Sequence, residues 1–149
     1  MHKFAALLML LLVCGCAPMK TANPSVDSGA PSSTVLVYRE WAYNSGGPSM
    51  YFGEGGSYYL SLRNLEYSEG TLNPGKHLFV VTTRGSQDFS LQLDLSPGSR
   101  TCLKAYADPA NYAKMIAPLL MNLTSLFKLE TVACPGSSFL DSYTKVPKT

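Results

Sequence analysis

The sequence predicts a mainly β protein, a small antiparallel β-sandwich with one added helix before its last strand. Three observations predict it. Short β-prone runs are punctuated by Gly, Pro and Asn, the pattern of sandwiches and barrels rather than of parallel α/β folds. Residues 89–95 (Phe-Ser-Leu-Gln-Leu-Asp-Leu) alternate strictly between apolar and polar, which is a strand buried on one face. Only one stretch, opened by Asp108-Pro109, repeats its apolar residues at helical spacing, through Tyr112, Ile116, Leu119, Leu123 and Phe127.

The strands follow in order. Residues 34–39 form the first. Gly46-Gly47-Pro48 then leads to residues 49–52, and the Gly-rich turn 53–56 leads to residues 57–62. After residues 66–72, Asn73-Pro74-Gly75 is a turn signal, because Pro presets φ and Gly accepts the positive φ of a type II turn. The chain returns over residues 76–83, and Pro97-Gly98 turns the alternating strand into residues 101–107. Asp108 and Pro109 read as an N-cap and first helical residue, and Pro118 should kink or split the helix that follows. A last strand runs over 127–134, and 137–149 reads as a loosely held tail. The sandwich domain is therefore placed at 34–136.

The 149 residues are 46% hydrophobic and only 15% charged, too apolar for a disordered chain. A net charge of +2 with scattered basic residues gives no stripe for nucleic acid.

Residues 1–15 carry one positive charge at Lys3 and an apolar run over 4–13, the layout of a secretory leader. That run is shorter than the roughly 20 residues needed to span a bilayer. Val13-Cys14-Gly15-Cys16 resembles the bacterial lipobox, which implies a thioether-linked lipid on Cys16 and cleavage before it. Multiple acyl chains on one residue suffice for stable anchoring. Ala17 resembles the sorting signal for the outer membrane. The localisation implied is the bacterial envelope, lipid-anchored and facing the periplasm. Residues 16–33, rich in Ala, Pro, Ser and Thr, read as a flexible tether.

Loss of the leader and lipidation of Cys16 leave Cys102 and Cys134 in an oxidising compartment. An antiparallel pairing that sets them opposite each other puts Lys104 against Val132 and Tyr106 against Glu130. Lys104, Lys128 and Glu130 then share the cysteines' face, and Leu103, Ala105, Leu129 and Ala133 take the other. This predicts a disulfide.

The order of residues 34–39, a tyrosine-rich hairpin, Leu72-Asn73-Pro74-Gly75-Lys76-His77-Leu78, an alternating strand and Ser96-Pro97-Gly98-Ser99 resembles a family of small bacterial lipoproteins of unknown function. Their domain is similar to PEGA-type and other small β-sandwich modules. The resemblance covers residues 33–107 and, more loosely, the last strand, and it implies fold and location rather than a reaction. Gly53-Glu54-Gly55-Gly56 in place of an Asp-Gly turn, and the inserted helix over 108–126, depart from that pattern.

Few residues suggest chemistry. Without the leader His77 is the sole histidine, which excludes a multi-histidine metal site within one chain and leaves no cofactor implied. No Gly-x-Ser-x-Gly elbow accompanies it, and the Pro74-Gly75 turn explains its position as structural. Glu54, Glu66, Glu69 and Asp88 include no pair selected by spacing as acid and base. Trp41, Tyr43, Tyr51, Phe52, Tyr58 and Tyr59 cluster around the first loop and hairpin, either as core or as a binding surface. Trp41 and Tyr43, in a Gly-rich loop, are the candidate binding residues. The apolar stretch 115–121 either covers an open end of the sandwich or presents a patch to a partner.

The function expected is therefore that of a non-catalytic interaction or structural module, anchored to the membrane by its lipid. Its expected partner is an envelope protein or peptidoglycan. The alternative is an envelope enzyme or enzyme inhibitor using a carboxylate and tyrosine at the sandwich edge.

Overall fold

A computed structural model describes residues 22–24, 26, 29, 31–42, 47–111 and 123–147. Among the described residues nine strands form two sheets: β1 (Ser33–Arg39), β2 (Met50–Glu54), β3 (Ser57–Leu62), β4 (Glu66–Leu72), β5 (Gly75–Thr82), β6 (Phe89–Leu95), β7 (Arg100–Ala107), β8 (Phe127–Val132) and β9 (Thr144–Lys145). One sheet has the order β8-β7-β1-β4-β9 and the other β3-β2-β5-β6. The fold is a mainly β, sandwich-like pair of sheets, with a short helix, α1 (Ser137–Leu140), just before the final strand.

The alternating strand is as its pattern requires, with Phe89, Leu91, Leu93 and Leu95 turned inward and Ser90, Gln92 and Asp94 exposed. Between the sheets, Val35, Val37, Leu72, Leu103, Ala105, Phe127 and Leu129 meet Met50, Phe52, Leu60, Leu62, Phe79, Val81 and Leu95. Phe52 and Phe79 stack with centroids 5.3 Å apart at the centre. Burial of these side chains, each worth roughly 1.5–3 kcal/mol, is what joins the sheets.

Gly75 and Gly53 occupy positions dictated by backbone geometry. Gly75 has φ 122°, so the turn before β5 uses the conformational freedom read from its sequence. Gly53 lies where the β2–β3 register shifts, and a Cβ there would sit 1.9 Å from the Ser57 carbonyl oxygen and 2.5 Å from Tyr58 Cα. Gly53→Ala should therefore destabilise the domain by about 3 kcal/mol, through backbone displacement at the bulge. A thermal midpoint equal to wild type would contradict this.

The disulfide forms: Cys102 and Cys134 are bonded, with Cα atoms 5.1 Å apart. The pairing that carries it differs from the sequence reading by two residues. Cys102 pairs with Val132, Lys104 with Glu130 and Tyr106 with Lys128. Cys134 lies just beyond β8 and reaches Cys102 on the diagonal. Because side chains alternate with period two, a slip of two keeps every residue on its expected face. Leu103, Ala105 and Leu129 are buried, and the Lys104 ammonium lies 2.6 Å from Glu130 on the outer face. Ala133, placed with the inward residues by the sequence, lies past the end of β8 and is exposed.

Three further departures are structural. The pairings are antiparallel except β1 with β7 and β4 with β9, which are parallel. Of the expected loose tail 137–149, the described part, 137–147, is held against the sheet. Strand β9 extends the five-stranded sheet beside β4, and helix α1 with the turn after it packs on the sheet's outer face, where Phe139 and Tyr143 stand edge-on to Tyr38 at 5.5 and 5.6 Å and Leu140 and Tyr143 pack on the Leu36 cluster. Last, the inserted segment begins with a single 3-10 turn over Pro109–Asn111, capped by Asp108 through a 3.1 Å bond from the Ala110 amide. Residues 123–126 are turn and coil, and the middle of the expected helix, 112–122, lies outside the described residues. Within the expected tether, the Ala22 amide donates to the Tyr58 carbonyl at 3.1 Å and Ser33 Oγ donates to the Ser96 carbonyl at 2.6 Å.

Candidate functional site

The end of β1 organises one end of the sandwich. Val35, Val37 and Arg39 alternate in phase toward the core, so the strand carries a guanidinium inward behind two valines. Arg39 is only 1% exposed. Its Nη1 donates to the carbonyls of Pro48 at 2.7 Å and Leu62 at 3.0 Å, and the guanidinium carbon lies 4.6 Å over the Phe127 ring. Burial pushes its pKa down to about 10, an effect opposed by the charge of Glu66. The two carbonyls and the ring replace part of the lost hydration.

Around this buried cation the loop backbones are tied down. The Glu40 amide donates to the Ala105 carbonyl at 2.9 Å, and Asn64 Nδ2 donates to the Ala42 carbonyl at 3.0 Å. The Leu65 amide donates to the Arg39 carbonyl at 3.1 Å, and Leu65 holds φ at 56°, a left-handed conformation that a leucine adopts at an energetic cost. Thr83 Oγ1 donates to the Ser49 carbonyl at 2.8 Å.

Trp41 lies between two of these fixed residues, and its side chain is 57% exposed. A large aromatic side chain on an ordered backbone contributes contact area to binding with little further loss of entropy. Tyr43, its expected companion, and Cys16, the expected lipid site, lie outside the described residues. The hairpin aromatics divide: Phe52 is core, Tyr59 packs against the core, and Tyr51 and Tyr58 are half-buried with centroids 5.9 Å apart.

His77 occupies the structural position expected of it. Its Nε2 lies 2.8 Å from the Asn73 carbonyl of the turn, its Nδ1 lies 3.1 Å from Glu54 Oε2, and its ring stacks on Phe79. The same Glu54 oxygen accepts from the Tyr59 hydroxyl at 2.9 Å, while Oε1 accepts from the Leu78 amide at 3.1 Å. Burial, then the bond to Glu54, holds the Tyr59 phenol above its ordinary pKa. Every polar atom of the Glu54–His77 pair is committed to fastening the turn and hairpin together.

The remaining candidate carboxylates are engaged separately. Glu66 accepts from the Arg63 amide at 2.6 Å, Glu69 pairs with Arg100 at 2.9 Å, and Asp88, after burial, helps to hold the Tyr58 phenol above its ordinary pKa. Among the described residues no group of three or more His, Cys, Asp or Glu could hold a metal ion, and no helix is long and apolar enough to cross a membrane. No family model matches the chain, and no curated protein matches it either.

Arg39, the buried cation at this end of the sandwich, belongs to no motif and does not stand out in the composition. Its signal was present in the alternation Val35-x-Val37-x-Arg39, which places a cation at a core position of the first strand.

Proposed function

We propose that this protein is a lipid-anchored module of the bacterial envelope that binds a partner without catalysing a reaction. The observation that carries this reading is the exposed Trp41 held between hydrogen-bonded neighbours at the Arg39 end of the sandwich. A leader ending in a lipobox-like Val13-Cys14-Gly15-Cys16, and a disulfide that suits an oxidising compartment, support the location. Anchored through Cys16 at the outer membrane, with residues 16–33 between lipid and domain, the module would act at a raised local concentration toward its envelope partner, either protein or peptidoglycan. Such confinement compensates for a weak intrinsic affinity. The rival reading, an envelope enzyme or inhibitor, would need a carboxylate and tyrosine with reactive atoms to spare, and Glu54 and Tyr59 bond to each other.

Formaldehyde crosslinking in intact cells tests the proposal. The wild type should yield a discrete crosslinked species that Trp41→Ala loses while remaining folded, as its thermal unfolding transition will show. Identical crosslinks from both chains would count against Trp41 as the anchor.

A further inference from the structure

The same end of the sandwich carries a cleft of about 340 Å³ between the start of β2 and the end of β5, lined by Pro48, Ser49, Tyr51, Thr83 and Arg84. That volume is at the small end of ligand-binding clefts, which begin at roughly 300 Å³. Its walls are fixed. The Pro48 carbonyl is held by Arg39 at 2.7 Å, and the Ser49 carbonyl by Thr83 Oγ1 at 2.8 Å. The turn after β5 closes through Gly85 at φ 78°, with Ser86 Oγ accepting from the Thr83 amide at 3.2 Å and the Ser86 amide donating to the Thr83 carbonyl at 3.1 Å. A ligand entering here would not have to order the loops, so little affinity would be lost to reorganisation.

The chemistry of the lining is specific in kind. Arg84 is exposed, and among the described residues no carboxylate pairs with it. Tyr51 is half-buried and steadied by Tyr58 at a 60° tilt. A guanidinium offers a planar fork to a carboxylate, an aromatic wall offers a face to C–H groups, and the hydroxyl group of Ser49 offers hydrogen bonds to ring hydroxyls.

We propose that the cleft formed by Tyr51, Arg84 and Ser49 binds a carboxylate-bearing saccharide ring, its C–H face against Tyr51 and its carboxylate on Arg84. Phosphate alone would engage the arginine and leave the aromatic wall unused, and a neutral sugar would leave the guanidinium unpaired. The inference rests on the reading of this chain as a binding module, but it needs neither lipidation nor Trp41.

Calorimetric titration of the purified full chain tests it, using trigalacturonate, its methyl ester, an N-acetylmuramic acid disaccharide and inorganic phosphate as probes. At least one acidic saccharide should bind saturably, with the trigalacturonate ester weaker than its acid by about tenfold or more, the scale of one charge-assisted contact. Arg84→Gln and Tyr51→Leu should each weaken binding of the acid by a similar factor of about ten, with an unchanged thermal midpoint for the exposed Arg84 position. Lys76→Gln, an exposed position at the other end of β5, should bind the acid as wild type does, and because the crosslinking result reads Trp41 while this titration reads Arg84 and Tyr51, failures of the two can be told apart. No saturation by either acidic saccharide up to about 10 mM, beyond the weakest useful affinity, would overturn the proposal. So would equal binding of acid and ester, equal binding of phosphate, or an unaffected Arg84→Gln.

Discussion

Replacing Arg39 with alanine is expected to destabilise the domain by about 3–5 kcal/mol, since it opens a large cavity and strands two carbonyls. The carbonyls of Pro48 and Leu62 lose their charged donor, and the Phe127 face loses the group stacked over it. Arg39→Met separates the contributions. It keeps most of the volume and removes a charge that burial opposes, so it should lose less than alanine does. Arg39→Lys keeps the charge without the planar fork and should not restore wild-type stability. Urea unfolding of the three variants reads the order directly, and an alanine variant within about 1 kcal/mol of wild type would contradict the role assigned here. The sign of any pH effect follows from the lowered pKa. With a value lowered by burial to about 10 in the folded state, the unfolded chain binds more proton only above that pH, so stability from this group rises with pH there. Below pH 10 the group is protonated in both states, so unfolding between pH 5 and 9 should show no slope attributable to Arg39.

Reduction of the Cys102–Cys134 bond should have an effect of similar size. The bridge closes a loop with a sequence separation of 32, for which the chain-entropy estimate is roughly 3–4 kcal/mol. It also ties the start of the C-terminal segment to β7, just before that segment covers Leu36 and Tyr38 with Leu140, Phe139 and Tyr143. In the double variant Cys102→Ala/Cys134→Ala, the urea midpoint should fall and amide exchange should rise most over residues 137–146. An unchanged midpoint, or exchange raised equally in β6, would show that the bond does not hold this segment.

What could be read before the structure was whatever depends on local pattern. The alternation of 89–95 gave β6 with its correct inward face, and Asn73-Pro74-Gly75 gave the turn that Gly75 makes at positive φ. Placement of residues on faces survived even where register did not. Cys102 pairs with Val132 rather than with Cys134, because period-two alternation leaves a slip of two residues unresolved and a disulfide can close on the diagonal. Non-local facts were not legible. Nothing near β1 states that its neighbour β7 runs parallel, or that Phe139 and Tyr143, noticed as apolar residues in a tail, pack on Tyr38 from 101 and 105 positions away. The site was partly visible. Trp41 is legible as an exposed aromatic, but the buried guanidinium that fixes its surroundings, and the cleft of Tyr51 and Arg84, depend on where residues 40–42, 47–49, 62–65 and 83–86 meet in space.

The tethered-module reading is tested most directly by lipid incorporation at Cys16. Bacteria expressing the full chain would be fed an alkyne-bearing fatty acid, and the purified protein examined by mass spectrometry beside Cys16→Ala. The wild type should begin at Cys16 and carry the labelled acyl groups on that residue, while the variant carries none. An unlabelled wild-type chain with residues 1–15 still attached would contradict the account.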